Sequence, residues 1–490
     1  MTAEGGRRSK TADRRSAERR VGWARLWARA KQIVGTDPTG SDEDDHVVDE
    51  EAARVLAANA GRLKGGLAKV AQLAAYDPGA TLGDRGQEIE RGAGAPRPLG
   101  PREPPRGDRG QEIERGAPAL PREPPRGAMN QARAVLADLW DQAPAVSGAA
   151  IARVIEADLG RPPEALFATW DPVPLAAASL GQVHAATLAD GTAVVVKVQY
   201  PGVAEALRAD LDDAAFVRKL AGGGIGRSLD AASLRALGAA VRGELDYAAE
   251  ARALERFAAA WRDHPTLRFP QVIGERSSGR VLTMTRARGK TVAQTAAAGT
   301  PDVRRHAAMA IFVFTWGSPL AHGVVNADPN PGNFLIDEAP DGAVAVWCLD
   351  FGCALELPDD VRDADREIWW GLLDDDRAAA AERFRLGIAR AGLLRRADLL
   401  ASTAHRDWER ALAAPVTTHG EFSWTAGYAS ELAEATGRAL GAGGLALPAH
   451  LLLLWRQRLG AAAVIAMLDA HAPFRRVLVE LIGSGRRALR

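Results

Sequence analysis

The sequence predicts an α+β protein of two lobes, a small strand-bearing lobe followed by a mostly helical one. Three observations predict it. Two strand-like runs, 183–188 and 193–198, are joined by Ala189-Asp190-Gly191-Thr192, whose Asp-Gly step is a hairpin turn signal. A further strand pair is read around 268–285, and apolar runs of strand length fall at 334–336 and 346–349. From about residue 357 the apolar residues recur at helical spacing with little interruption. Few strands early and many helices late is the order of a two-lobed chain.

Bulk composition excludes some functions. At 490 residues the chain is long for one core, so two or more structural units are expected. Lysine plus arginine equals aspartate plus glutamate, 62 each, so no global charge points to nucleic acid or lipid. The two cysteines, Cys348 and Cys353, fit neither a CxxC redox pair nor a zinc knuckle, and a reducing cytoplasm is the simplest setting. No run of about 18 apolar residues is present, so a spanning helix is not expected. The basic start lacks the apolar stretch of a secretory signal.

Taken in order, residues 1–52 are first basic and then acidic. Residues 1–35 carry ten Lys/Arg against three Asp/Glu, and Trp23, Leu26, Trp27, Ala30 and Val34 share one helical face. Such a helix, within residues 7–34, suits peripheral contact with the inner face of a membrane or docking on its own domain. The acidic stretch at 42–51 offers neutralisation in cis. Residues 53–82 read as a helical extension. Residues 83–127 are a Pro/Gly/Arg/Glu insertion that repeats itself: 83–93 recurs as 107–117, and 101–107 as 121–127. So polar a repeat has no core to build and reads as disordered, without chemistry. Helical pattern resumes near Asn130 and runs to Leu159. Residues 128–288 then form the smaller lobe with added helices: the hairpin, helical segments over about 203–262, and a strand pair around 268–285. Residues 289–490 form the helical lobe, beginning with a helix at 301–320.

Five features in one order carry the chemistry. The first is a small-residue loop, Ala176-Ala177-Ala178-Ser179, running into a strand, which lets backbone N–H groups approach phosphate oxygens. In an alanine-rich chain it is weak alone. The second is Lys197 within Val194-Val195-Val196-Lys197-Val198. A lysine inside an apolar strand is costly to bury without an anion, and the unbroken valines suggest that both faces are covered. The third is Glu250, on a helix after that strand, as carboxylate partner to Lys197. The fourth is Asp328-Pro329-Asn330-Pro331-Gly332-Asn333, with the Asp-x4-Asn spacing of a kinase catalytic loop: the aspartate for the nucleophile, the asparagine for metal. The fifth is Asp350-Phe351-Gly352 at the end of an apolar strand. Asp350 and Asn333 offer the oxygen atoms that magnesium takes.

On these residues the chain resembles the UbiB/AarF atypical protein-kinase-like family over roughly 55–480, the insertion apart. The Ala-rich AAASLGQVH run and the ADPNPGNF loop at 327–334 carry the likeness. The family's Lys-x-Gly-Gln motif reads Lys69-Val70-Ala71-Gln72 here, and its Glu-x-Asp pair is matched by Glu244 and Asp246. Asn326 stands where the family usually has histidine or glutamine. The resemblance implies a two-lobed kinase-like fold, with ATP and Mg2+ bound through Ala176, Ala177, Ala178, Ser179, Lys197, Glu250, Asn333 and Asp350. It also implies catalysis by Asp328 with Lys197, an adenine hinge at about Met284, and a regulatory extension in which Lys69 and Gln72 meet Glu244 and Asp246. Members serve ubiquinone or other prenyl-lipid metabolism, so a prenyl lipid or small molecule is the implied further ligand. Two alternatives stand beside this reading. One is a catalytically weak pseudokinase acting as a nucleotide-gated lipid- or protein-binding module. The other is a small-molecule kinase of the aminoglycoside phosphotransferase type, which has no use for the Lys69–Gln72 and Glu244–Asp246 motifs.

Overall fold

A small antiparallel sheet organises the first lobe of the computed structural model, which describes residues 146–490 except 179, 205–234, 236–237, 241, 395–401, 444, 447 and 488–490. The basic N-terminal segment, Lys69, Gln72, the insertion and Ser179 therefore lie outside the described residues. Strands β1 (Thr169–Ala178), β2 (Gly181–Thr187), β3 (Ala193–Gln199) and β5 (Val281–Thr285) lie side by side in that order. Helix α1 (Gly148–Leu159) covers the face bearing Val194, Val196 and Val198, and its Ile151, Val154 and Ile155 complete that core. Strand period 2 turns Val195 and Lys197 to the opposite face.

The Ala-rich run is not a loop. Ala176, Ala177 and Ala178 end β1 and pair with Val183, Gln182 and Gly181 of β2. Small side chains let the strand continue, and Gly181 permits the close approach: a Cβ there would run into the Val198 carbonyl oxygen. Of the helical pattern expected from Asn130 to Leu159, residues 130–145 lie outside the described residues; α1 starts at Gly148, where the Ser147 side chain accepts the Ala150 N–H and caps it, and the short α2 (Pro163–Leu166) follows.

The strand pair expected around 268–285 is found in part: Val272 bridges Met284 antiparallel, and the Ile273 and Thr285 N–H groups donate to the Thr283 and Gln271 carbonyls. Short strand β4 (Leu267–Arg268), however, runs parallel to β9 (Val344–Cys348), whereas β5 joins β3. The two segments are adjacent in sequence but serve different sheets. The second sheet has the order β4-β9-β8-β6, with β8 at Phe334–Glu338 and β6 at Lys290–Thr291. Between the lobes' sheets stands helix α3 (Tyr247–Ala260), whose buried Tyr247, Leu254 and Phe257 belong to the larger core.

That core is built by helices. After α4 (Val292–Ala298), α5 (Pro301–Phe312) starts at the Thr300 cap with proline in its first turn. The helix expected over 301–320 changes at Val313 into a π-helical stretch, Val313–His322, that contains Pro319 and ends at left-handed Gly323. Proline has no N–H for the α-helical ladder, and the wider turn accommodates it. Strand β7 (Val324–Asn326) then pairs with β10 (Ala354–Glu356). Helices α6 (Asp359–Leu373), α7 (Arg377–Arg390), α8 (Thr403–Thr417), α9 (Ala426–Gly441), α10 (Ala449–Met467) and α11 (Phe474–Arg487) follow, with a small ribbon of β11 (Phe422–Trp424) and β12 (Ala470–Ala472) among them. Among the described residues no helix is long and apolar enough to cross a membrane.

Candidate active site

Lys197 stands in the middle of β3, opposite Val183 on one side and Leu282 on the other. Its ammonium is almost fully buried and donates to both oxygens of Glu250, at 2.7 and 2.9 Å, and to Asp350 Oδ2 at 3.2 Å. It also lies 5.0 Å from the centroid of the Tyr247 ring. Burial opposes its charge, but Asp350 and Glu250 outweigh burial and hold its pKa above the ordinary lysine value. Glu250 is pushed up to about 7 by burial, with Asp350 adding repulsion and Lys197 offsetting part of it. A cation from a strand, an anion from a helix and an anion from a loop thus share one point.

Helix α3 delivers Glu250 in its first turn, where the helix dipole favours a carboxylate. The helix starts at Asp246, whose side chain accepts the Ala249 N–H at 3.0 Å. Asp246 is therefore an N-cap and half-exposed, while Glu244, two residues earlier, is buried and accepts from Cys353 Sγ at 2.8 Å. The two acids of this pair face different surroundings.

The loop after β7 carries the next group. Asp328 is buried, and its carboxylate accepts from Arg456 Nη2 at 3.0 Å and from Asn333 Nδ2 at 3.3 Å. Asn333 Nδ2 also donates to the Asp328 carbonyl at 2.9 Å. This commits the donor end of the amide and leaves its oxygen end as the acceptor a cation requires. Asn326 ties this loop to the Asp-Phe-Gly loop, donating from Nδ2 to the Asp350 carbonyl at 2.7 Å and accepting the Asp328 N–H at 3.4 Å. Asp350 Oδ1 accepts the Gly352 N–H at 3.0 Å. A Cβ at Gly352 would stand in ordinary van der Waals contact with Asp350, Glu244 and Glu250, at 3.4–3.7 Å, so the glycine sits beside all three acids. Phe351 is buried against Phe257 and Phe269, with ring centroids at 5.0 and 5.9 Å, which fixes the loop.

The residues fit magnesium by donor type. Asp350 and Asn333 offer hard oxygens, and Asp350 is partly solvent-accessible. Among the described residues no three His, Cys, Asp or Glu side chains converge as a cage. Magnesium needs no such cage, since phosphates and water complete its octahedron.

Met284 departs from the hinge expected there. It is buried within β5, opposite Val195, and strand-type pairing continues to Arg286, whose N–H donates to the Ala193 carbonyl at 3.0 Å. The part of the expected hinge toward Ala287 follows that pairing. Sequence alone does not mark Arg456 and Gln457 as functional; they look like polar interruptions of the apolar runs at 451–455 and 459–468. A pair of adjacent polar residues inside an otherwise apolar helix was the available signal.

Residues 138–384 match the ABC1 atypical kinase-like domain family. The mitochondrial atypical kinase COQ8B of Rattus norvegicus is 32% identical over 225 residues, which is 46% of this chain and 42% of that protein. The mitochondrial atypical kinase COQ8 of Saccharomyces cerevisiae is 30% identical over 239 residues, 48% of this chain and 46% of that protein. The chain thus spans somewhat less than half the length of these relatives. Among solved structures, Rv3197 of Mycobacterium tuberculosis in complex with erythromycin superposes with a TM-score of 0.54 at 25% identity, covering 90% of this chain and 98% of that one.

Proposed function

The chain belongs to the ABC1 atypical kinase-like family, and from that premise we propose that it binds ATP with magnesium and acts as an atypical kinase or ATPase. One observation carries the reading: Lys197 Nζ lies 2.7 Å from Glu250 and 3.2 Å from Asp350, joining strand, helix and loop at a single buried point. A buried ammonium with two anionic partners is a costly arrangement for mere stability. It is the arrangement that grips phosphates in kinases.

In this reading Lys197, held by Glu250, faces the α/β-phosphates. Asn333 and Asp350 hold magnesium, which neutralises phosphate charge when bound. Asp328 orients the acceptor, water or a small hydroxyl. The acceptor oxygen bonds to the γ-phosphorus as the bridging bond to ADP breaks, and the leaving oxygen keeps the electron pair. Positioning and charge neutralisation supply most of the acceleration in such transfers. The setting we propose is the one the family resemblance implies, ubiquinone or other prenyl-lipid metabolism.

The test is calorimetry with MgATP on the wild type and Asp350→Ala, followed by phosphate release from the wild type and Asp328→Asn. The wild type is expected to bind and Asp350→Ala to bind at least tenfold more weakly, a difference of about 1.4 kcal/mol. Equal binding by both would remove the metal role of Asp350. Phosphate release by the wild type that Asp328→Asn leaves unchanged would favour a nucleotide-gated binding module instead.

A further inference from the structure

Helix α10 grips the Asp328 loop at four successive residues. Gln457 Oε1 accepts the Asn326 N–H at 2.6 Å, while its Nε2 donates to the Thr315 carbonyl. Arg456 Nη1 donates to the Ala327 carbonyl and Nη2 to Asp328 Oδ1 at 3.0 Å. Gly460 leaves room for the Pro329 ring, which a Cβ there would overlap. The helix is itself anchored: Arg458, fully buried, donates to both oxygens of Asp365 at 2.6 and 2.5 Å and lies over the Trp369 ring.

We propose that Arg456 is a positioning residue for the chemistry at Asp328, fixing the orientation of its carboxylate; this rests on the nucleotide reading above. Both side chains are about 10% exposed, so water screens the pair little. The planar fork reaches the carbonyl of one residue and the carboxylate of the next together, which a single ammonium does less well. A simple tie between helix and loop would need neither the charge nor contact with the carboxylate.

The experiment compares full-length wild type, Arg456→Gln and Arg456→Lys in MgATP affinity and in kcat and KM for phosphate release. Arg456→Gln is expected to lower kcat on the order of tenfold or more, while KM and MgATP affinity change little because Lys197, Asn333 and Asp350 are intact. Arg456→Lys, which keeps a cation at the carboxylate, recovers part of that rate. An unchanged kcat in Arg456→Gln overturns the proposal, as does a loss confined to KM or an equal loss in both variants. If Arg456→Gln does not fold, Arg456→Met, which preserves the stem packing, is read in the same way. Failure of both to fold, with Arg456→Lys indistinguishable from wild type, makes Arg456 a structural tie and overturns the positioning role. A wild type that binds MgATP but releases no phosphate at any pH overturns this inference alone. A wild type that does not bind MgATP overturns the nucleotide reading itself.

Discussion

His184 shows how a single side chain sets a pH limit on the smaller lobe. It is fully buried on β2, its Nδ1 lies 2.9 Å from the Asp171 carbonyl, and its ring stacks on Trp170 at 4.6 Å. A carbonyl can only accept, so Nδ1 carries the proton and Nε2 is the bare nitrogen, which has no hydrogen-bond partner. Protonating Nε2 would bury a new N–H and a charge. Burial accordingly pulls the pKa of His184 below the ordinary 6.5, against the smaller upward pull of Asp171. A depressed folded-state value means that the stabilising contribution is complete above the unfolded value of 6.5 and is lost as pH falls through the folded one. Thermal unfolding of the wild type should therefore fall in midpoint between pH 7.5 and 5, and His184→Phe should flatten part of that slope. His264 and His322 are depressed by burial too and leave a residual slope of the same sign. Identical slopes in wild type and His184→Phe would exclude His184 as a contributor. At the same scale Lys197 was legible in the sequence, because a lysine amid four valines is conspicuous. Arg456 was not, because its partner Asp328 is 128 residues away.

At the scale of elements, the informative one is α10. Its sequence reads as a core helix with two arginines in the way, and its packing does bury Leu451, Leu454, Ala461 and Ile465. The polar residues between them, Arg456, Gln457 and Arg458, are directed to the Asp328 loop, Asn326, Thr315 and Asp365. Gly460→Ala is expected to press on the Pro329 ring and displace the loop. Overpacking of this kind costs typically about 1–3 kcal/mol, read as a lower unfolding midpoint. Phosphate release should fall more than MgATP affinity does, because Lys197 and Asp350 sit on other elements. A Gly460→Ala protein with wild-type turnover would mean that the loop tolerates the shift. Other elements were mistaken for reasons of the same kind. The strands near 267 and 281 are close in sequence yet answer to different sheets, since pairing is decided by which edge each meets. Ala176–Ala178 looked like a loop because alanine is a poor strand former. Pairing with β2 overrides that preference.

For the whole molecule, the site joins both lobes: β3 of the smaller sheet supplies Lys197, and the loops of the larger lobe supply Asp328, Asn333 and Asp350. Anything that binds those groups together should stabilise the fold by mass action. MgATP at 100 times its dissociation constant is expected to add about 2.7 kcal/mol, seen as a raised unfolding midpoint whose rise is at least roughly halved in Asp350→Ala at the same MgATP concentration. A wild-type midpoint that ignores saturating MgATP would count against nucleotide binding across the lobes. Membership of the atypical kinase-like family and the two-lobed fold were legible from the order of motifs, which survives a diverged sequence because each motif sits where an element ends.

The sequence by itself determined the elements and the chemistry each carries: the Asp-Gly hairpin, the lysine within the valine strand, the Asp-x4-Asn loop and the Asp-Phe-Gly after an apolar strand. These are local patterns, set by side-chain period and turn chemistry. Only the tertiary structure decided which of those groups touch, that Glu244 and Asp246 face different surroundings, that Met284 is locked inside a strand, and that α10 reaches back to hold Asp328. The reason is physical. Contacts between distant residues depend on how buried faces pack, and packing satisfies buried charges such as Lys197 and Arg456 with whatever partners the fold brings within hydrogen-bond reach.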